Sequence, residues 1–381
     1  MAAEAVAERR PWREILGGQA LAIGSAFLFA GLAGAGIIAL YGESPLAVYR
    51  TIWVFSTDRP ADIARVLVNA TPLIFSGLAV AVAFKAGMFN IGVEGQYIVG
   101  MLAATLAALG LDFLPAPILL PAVILAAMLG SMLWAVVPAI LKVRTGAHEV
   151  VTTIMMNGIS ASLVTWFLLH PLRSAEFGQV DLRSDRFSEA ALVPDLASSL
   201  GISREVVPPS AHLSWLFPLA ILACVAVWHL LYRTRLGYEA RALGSSAGAA
   251  EAGGVAIGAT QIKVFLLSGA LAGLAGLNHL LSDKGFLGQN YETQLGFTGI
   301  AVAFLGRNHP AGIPLAAILF GILARGEQGI QIETEVPREI IIILQGLLIL
   351  SVVVAYEVVR RRIARRRQRT GTAQDAAEVA A

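Results

Sequence analysis

The residues of this chain with the clearest chemical potential are Lys85, Asn90, Glu94 and Gln96, set among Gly87, Gly92, Gly95 and Gly100 within residues 84–104. Apolar sequence surrounds them from Leu67 to Leu109. Amide and carboxylate groups can hydrogen-bond hydroxyls or the edges of a heterocycle. At bilayer depth an ionisable group costs about 2.5 kcal/mol or more, so it is expected to face protein or a water-filled cavity. Glycine at this density marks backbone that bends, unwinds or is approached closely, and a membrane tolerates this only where the freed amides find partners. The stretch therefore reads as a broken or tightly packed helix pair lining a translocation route for a hydrophilic solute. For Glu94 a second reading stands beside that one: a carboxylate that bridges a helix end by accepting backbone N–H bonds.

Polar groups recur in residues 146–162. Glu149, Thr153 and Asn157 follow at intervals of four and share one helical face, flanked by Thr152 and Ser160. Asn157 lies about 12 Å along the axis from Glu149, well inside a bilayer. Such a face is either interhelical glue or a lining for the route. Glu149 reads equally as an N-terminal charge favoured by the helix dipole. The sequence thus nominates Asn90, Glu94, Gln96, Glu149, Thr153 and Asn157 as path residues. Catalytic signatures are missing. No lysine follows a glycine, which removes the GxxxxGK[ST] phosphate loop, and neither GxSxG nor HExxH occurs. His148, His170, His212, His229 and His309 show no ligand spacing, so no metal or cofactor is expected. An enzyme is the weakest reading.

These groups must be positioned by membrane helices. The chain is 56% hydrophobic and 14% charged, against about 25% charged in soluble domains. The single cysteine, Cys224, cannot form an intrachain disulfide. At about 20 apolar residues per span, the sequence predicts an all-α, polytopic helical bundle of about ten transmembrane helices. They fall at 17–41, 63–84, 90–109, 116–141, 147–170, 213–232, 261–281, 295–306, 311–327 and 338–358. The eighth and ninth are too short for ordinary spans and enclose GRNHPAG (306–312), the signature of a broken or re-entrant element. Gly269, Gly273 and Gly276 have small-xxx-small spacing, which predicts close helix packing. Two runs of about five spans, each with one irregular element, echo each other in topology only.

Arg9, Arg10, Arg13, Lys142, Arg144, Arg233, Arg235, Arg241 and the seven arginines of 360–369 fall on one side of ten spans. By the positive-inside rule that side is the cytoplasm, and both termini lie there. The basic residues serve topology and anionic lipid headgroups; a nucleic-acid partner is not supported. Residues 1–12 read as a disordered N-terminal tail, 13–359 as the transmembrane domain and 360–381 as a basic cytoplasmic tail. Within the domain, 171–212 forms an external loop suited to docking an external partner. The inner loop, 233–260, is rich in alanine and punctuated by glycine, which predicts one or two short helices offering a flat surface at Ala249 and Ala250.

FNIGVEGQYIVG (89–100), GAHEVVTTIMMN (146–157), GYEARALGSSAGAAEAGGV (237–255), LSGALAGLAG (267–276) and GFTGIAVAFLG (296–306) together resemble the signature blocks of permease subunits of bacterial ABC importers for nucleosides and simple sugars. The resemblance covers about 77–351. It implies a bacterial cytoplasmic-membrane transporter subunit that is not itself an enzyme. It also implies a separate cytoplasmic ATPase subunit, a second permease, commonly a paralogue, and an external substrate-binding lipoprotein or periplasmic protein. Arg241, Gly244, Ala249, Ala250 and Gly254 are then similar to the coupling helix that seats in the ATPase. FNIGVEGQ resembles the nucleoside branch, so purine nucleosides are the first expectation for cargo. Ribose- or galactose-type sugars are the alternative, and a proton-coupled secondary carrier using Glu94 or Glu149 is the rival class.

Overall fold

The computed structural model describes residues 11–175, 182–203, 205–208, 211–291, 293–334, 336–337, 339–352, 354–355 and 358. The basic tail from 360 onward and residues 1–10 of the expected N-terminal tail lie outside them. Thirteen helices organise the described residues: α1 (Pro11–Leu40), α2 (Pro45–Thr57), α3 (Pro60–Lys85), α4 (Val93–Gly110), α5 (Ala116–Thr145), α6 (Glu149–Leu169), α7 (Leu216–Arg233), α8 (Arg235–Ser245), α9 (Ala247–Ala252), α10 (Ile257–Ala272), α11 (Leu295–Leu305), α12 (Gly312–Glu333) and α13 (Glu339–Val352). Two helical turns, Glu189–Ala191 and Leu196–Ser199, and a π-helical stretch, Asn278–Lys284, complete them. No strand forms among the described residues; there are only two isolated bridges, Arg183 with Gly288 and Asp195 with Ser214.

Among the described residues each of the ten apolar stretches contains helix, but ten full spans are not reached. Six helices among the described residues, α3 to α7 and α12, are long and apolar enough to cross a membrane. Residues Gly24–Leu40 of α1 with α2, bent by 115°, make a seventh if taken as one span. α10, α11 and α13 are apolar but shorter. The expected span over 261–281 is interrupted because α10 ends at Ala272 and a turn carries Gly273 and Gly276 before the π-helical stretch. The stretch expected to be short at 311–327 is instead a 22-residue helix, α12.

The chain divides into two compact units, residues 1–52 with 327–381, and residues 53–326. In the first, the Tyr49 hydroxyl donates to the Gly31 carbonyl (2.7 Å), Thr51 donates to Glu333 (3.0 Å), and Leu344 packs on Gly34. The second is built around α3. Pro60 starts this helix at a position where its missing N–H is no loss, and every residue from Ala70 to Ala83 is buried. A helix apolar on all sides belongs at the centre of a bundle. α11, α10 and α7 pack on it, while α4 packs against α5 and α6. Two-thirds or more of the most apolar window of α5, α6 and α7 is left uncovered, as lipid-facing helices require. Glycine sets the close approaches: a Cβ on Gly269 would stand 2.7 Å from the Ala135 methyl, and one on Gly273 would meet the Ala127 carbonyl at 2.5 Å. The small-residue spacing of this segment therefore serves packing against α5.

Candidate functional site

Two helical elements of the second unit are interrupted, and they meet. α3 stops at Lys85, residues 86–92 run without helix through Gly87 at φ +71°, and α4 begins at Val93. The second break precedes α11, where Gln294 adopts φ +70° and offers no side-chain cap. Glu94, in the first turn of α4, supplies the missing cap. Its carboxylate accepts from Gln294 N (2.7 Å), Gly296 N (2.8 Å) and the Tyr97 hydroxyl (2.9 Å). One carboxylate thus lies at the positive ends of two helices, where the unsatisfied N–H groups and the helix dipoles both favour an anion. Gly296 is required for this approach, since a Cβ there would collide with the Glu94 amide.

Asn90 and Gln96 pair through both amide groups at 2.9 and 3.1 Å, and Asn90 also donates to Ser268 of α10 (2.8 Å), which donates to the Ala79 carbonyl (2.6 Å). Ser131, midway along the 30 residues of α5, donates to the Gln96 carbonyl (2.5 Å), which fixes the depth of this seam. Asn157 joins it from α6, accepting from Gly95 N (2.8 Å) and donating to the Ile91 carbonyl (3.1 Å). Thr153 bonds back to the Glu149 carbonyl within its own helix (2.7 Å), with its side chain against Gly92. Glu149 itself pairs with Lys142 (2.7 Å) at the end of the bundle and accepts from Phe89 N (3.5 Å). Asn90, Glu94, Gln96, Glu149 and Thr153 are buried, and Asn157 is half-exposed.

Below the seam, three rings line the junction of the two interrupted elements. Phe84 packs edge-on against Phe304 (5.3 Å) and Phe89 (6.2 Å), and Phe89 lies nearly parallel to Phe304 at 6.1 Å. Sequence reading missed this cluster, as it missed Ser76, which donates to the Leu295 carbonyl (2.7 Å) across from Gly299. It also missed a buried ion pair at the opposite end of α3. Asp62 accepts from Arg325 of α12 (2.9 Å) and from Arg59 (2.9 Å), and the Arg325 guanidinium stacks on Phe55 (5.0 Å). A charge inside an apolar span was the available signal.

The loop after α7 forms the two short helices expected. Arg241 lies over the Tyr232 ring at 5.0 Å. Gly244 touches the break itself, because a Cβ there would strike the Lys85 carbonyl. Gly254 closes α9 at φ +83°. Ala249 is exposed, but Ala250 is buried against the bundle, so only the first belongs to the outward surface; an alanine fits either face.

Residues 62–353 match the family described as branched-chain amino acid transport system / permease component. The glucose ABC transporter permease protein TsgB13 of Haloferax volcanii is 34% identical over 87% of this chain and 86% of its own length. The guanosine ABC transporter permease protein NupP of Bacillus subtilis is 34% identical over 86% of this chain and 90% of its own. The nucleoside ABC transporter permease protein NupB of Lactococcus lactis is 31% identical over 87% and 90%. No solved structure matches the chain. With the family match running across both interrupted elements and both helices of the inner loop, this chain belongs to that family of transport-system permease components.

Proposed function

We propose that this chain is the permease subunit of an ATP-driven importer that carries nucleosides, purine nucleosides first, across a bacterial cytoplasmic membrane by alternating access. α10, α11 and α13 enter the bilayer beside the longer helices to complete about ten membrane segments, and both termini lie in the cytoplasm. α8 and α9 dock a separate ATPase subunit through Arg241, Gly244, Ala249, Ala250 and Gly254, with Ala250 anchoring α9 from beneath. A paralogous second permease and an external binding protein complete the assembly.

The observation that carries this reading is the seam in which two interrupted helices are joined at mid-depth by reversible polar bonds. Amide pairs such as Asn90 with Gln96 exchange for cargo hydroxyls or base edges at little net cost, since one hydrogen bond replaces another. A path built this way binds weakly and releases readily. Glu94 and Thr153 hold the frame, Asn157 presents its half-exposed amide to the cargo, and Glu149 with Lys142 closes the inner end. Sugars are the second reading, favoured by the glucose permease relative, because hydroxyl groups suit the same amides.

The test is uptake of radiolabelled guanosine, glucose and ribose by vesicles containing the full complex. Guanosine uptake that needs ATP and the ATPase, competes poorly with sugars and survives a protonophore supports the proposal. Uptake that persists without the ATPase and collapses with the proton gradient refutes it.

A further inference from the structure

Lys85 ends α3, and the backbone that follows lies on α8: a Cβ on Gly87 would stand 3.4 Å from the Gly244 Cα. One turn earlier on α8, Arg241 covers the Tyr232 ring, and that ring packs on His309 with centroids 5.6 Å apart. His309 and Arg307 sit in the turn after α11, where Arg307 and Asn308 both adopt positive φ. The ends of both interrupted elements therefore converge with α8 on four basic side chains: Lys85, Arg241, Arg307 and His309. The charges of Arg241 and Arg307 bear on Lys85. Burial, with the charges of Lys85 and Arg307, holds the His309 imidazole below its usual range.

The acids packed at this end are committed elsewhere, Glu149 to Lys142 and Glu239 to Arg235 (both 2.7 Å), and Glu251 faces solvent on α9. Among the described residues no hydrogen bond or ion pair holds the Lys85 ammonium, and the buried Arg241 Nη1 has no hydrogen-bond partner. Like charges drawn partly out of water repel, and a buried donor without an acceptor costs stability. Both costs vanish when a carboxylate enters between them.

The geometry points to a carboxylate-binding site formed by Lys85 and Arg241, filled by an acidic side chain of the ATPase subunit; the inference rests on α8 and α9 being the ATPase dock. Its place gives it a second consequence. Lys85 terminates the first interrupted element and Arg241 belongs to α8, so an anion between them draws the break onto α8 and its withdrawal lets them part. The ATPase would thereby bias the seam through charge as well as through contact, by binding one arrangement better than the other.

The experiment uses the complete importer in nanodiscs of phosphatidylcholine, with and without phosphatidylglycerol. Copurification of the wild-type permease with its ATPase tests the functional reading alone, and its failure sinks that reading first. Given copurification, zero-length carbodiimide coupling followed by peptide mass spectrometry is expected to join Lys85 to an aspartate or glutamate of the ATPase. Lys85→Gln should weaken ATPase binding about tenfold at low salt and much less at high salt. Lys85→Arg should restore binding, with melting temperature unchanged in both. Unchanged ATPase affinity in both Lys85→Gln and Arg241→Gln overturns the inference. So does the absence of the cross-link together with binding that depends only on phosphatidylglycerol, which would give the site to a lipid headgroup.

Discussion

α3 is tied at one end by an ion pair and is followed, across its break, by a carboxylate held without any cation. At Asp62, two guanidinium groups meet one buried carboxylate, and Arg325 is itself pinned by the Phe55 ring. At Glu94, the same functional group is satisfied by two backbone N–H groups and a phenol. The first arrangement loses much of its energy if Arg325 moves, because the buried Asp62 then keeps only Arg59, whose side chain is largely exposed. The second spreads its charge over the ends of two helices, so a small shift of α11 can exchange one N–H for another or for water. A fixed tie therefore sits at one end of α3 and an adjustable one just past its other end, which is the arrangement expected if α3 is the stationary part of a bundle in which α11 moves.

The largest effect should come from breaking the fixed tie. Arg325→Ala should cost about 3 kcal/mol, read from thermal unfolding of the purified chain, because Asp62 remains buried with only the exposed Arg59 as a partner. Replacing both by leucine should recover most of that loss and leave uptake near normal. If the double variant is stable but does not transport, the ion pair works in the cycle and the contrast with Glu94 fails. Glu94→Gln comes next, at about 1–3 kcal/mol, since the carboxamide presents an N–H to one of the two backbone donors. Uptake in vesicles should fall by more than the amount of folded protein does. Uptake that simply follows protein level would make Glu94 as static as Asp62.

Ala249→Trp and Ala250→Trp extend the comparison to the inner helices. The exposed Ala249→Trp should leave the melting temperature unchanged while uncoupling ATP hydrolysis from uptake. The buried Ala250→Trp should cost about 1–3 kcal/mol through overpacking. Equal loss of stability in the two would remove the distinction between their faces.

Much of this was legible in the chain. Glycines and polar residues inside an apolar run located the first break, and GRNHPAG located the turn after α11, because apolar runs with such punctuation have few structural solutions. Helix lengths were less legible. Hydropathy measures apolar content and passes over Gly273 and Gly276, where a helix that remains apolar stops as it packs against α5 and α4. Asp62 and Arg325 were missed because one charge near the edge of a long window hardly changes its mean. The partners of Glu94 lie some two hundred residues away, so nothing local could name Gln294 and Gly296, although the capping role itself was among the readings open for that carboxylate. Glu149 stands at the first position of α6, where an N-terminal charge belongs, and pairs with Lys142, whereas the Thr153 hydroxyl bonds within its own helix and not across helices as glue would.

The smallest expected effects separate frame from path within α6. Asn157→Leu removes two bonds, one to Ile91 in the first break and one to Gly95 in α4, and Thr153→Val removes the bond within its own helix. Interhelical hydrogen bonds in membranes average about 0.6 kcal/mol, so neither variant should unfold the bundle. Stability thus cannot distinguish the two, but kinetics can. Asn157 carries the half-exposed amide, so its replacement should raise the KM for guanosine severalfold, with the ATPase rate of the empty transporter unchanged. Thr153 is covered by Gly92 and bonded to its own helix, so Thr153→Val should change neither. A KM shift confined to Thr153→Val would place the cargo one turn nearer Glu149 on the same face of α6 and would take Asn157 out of the path.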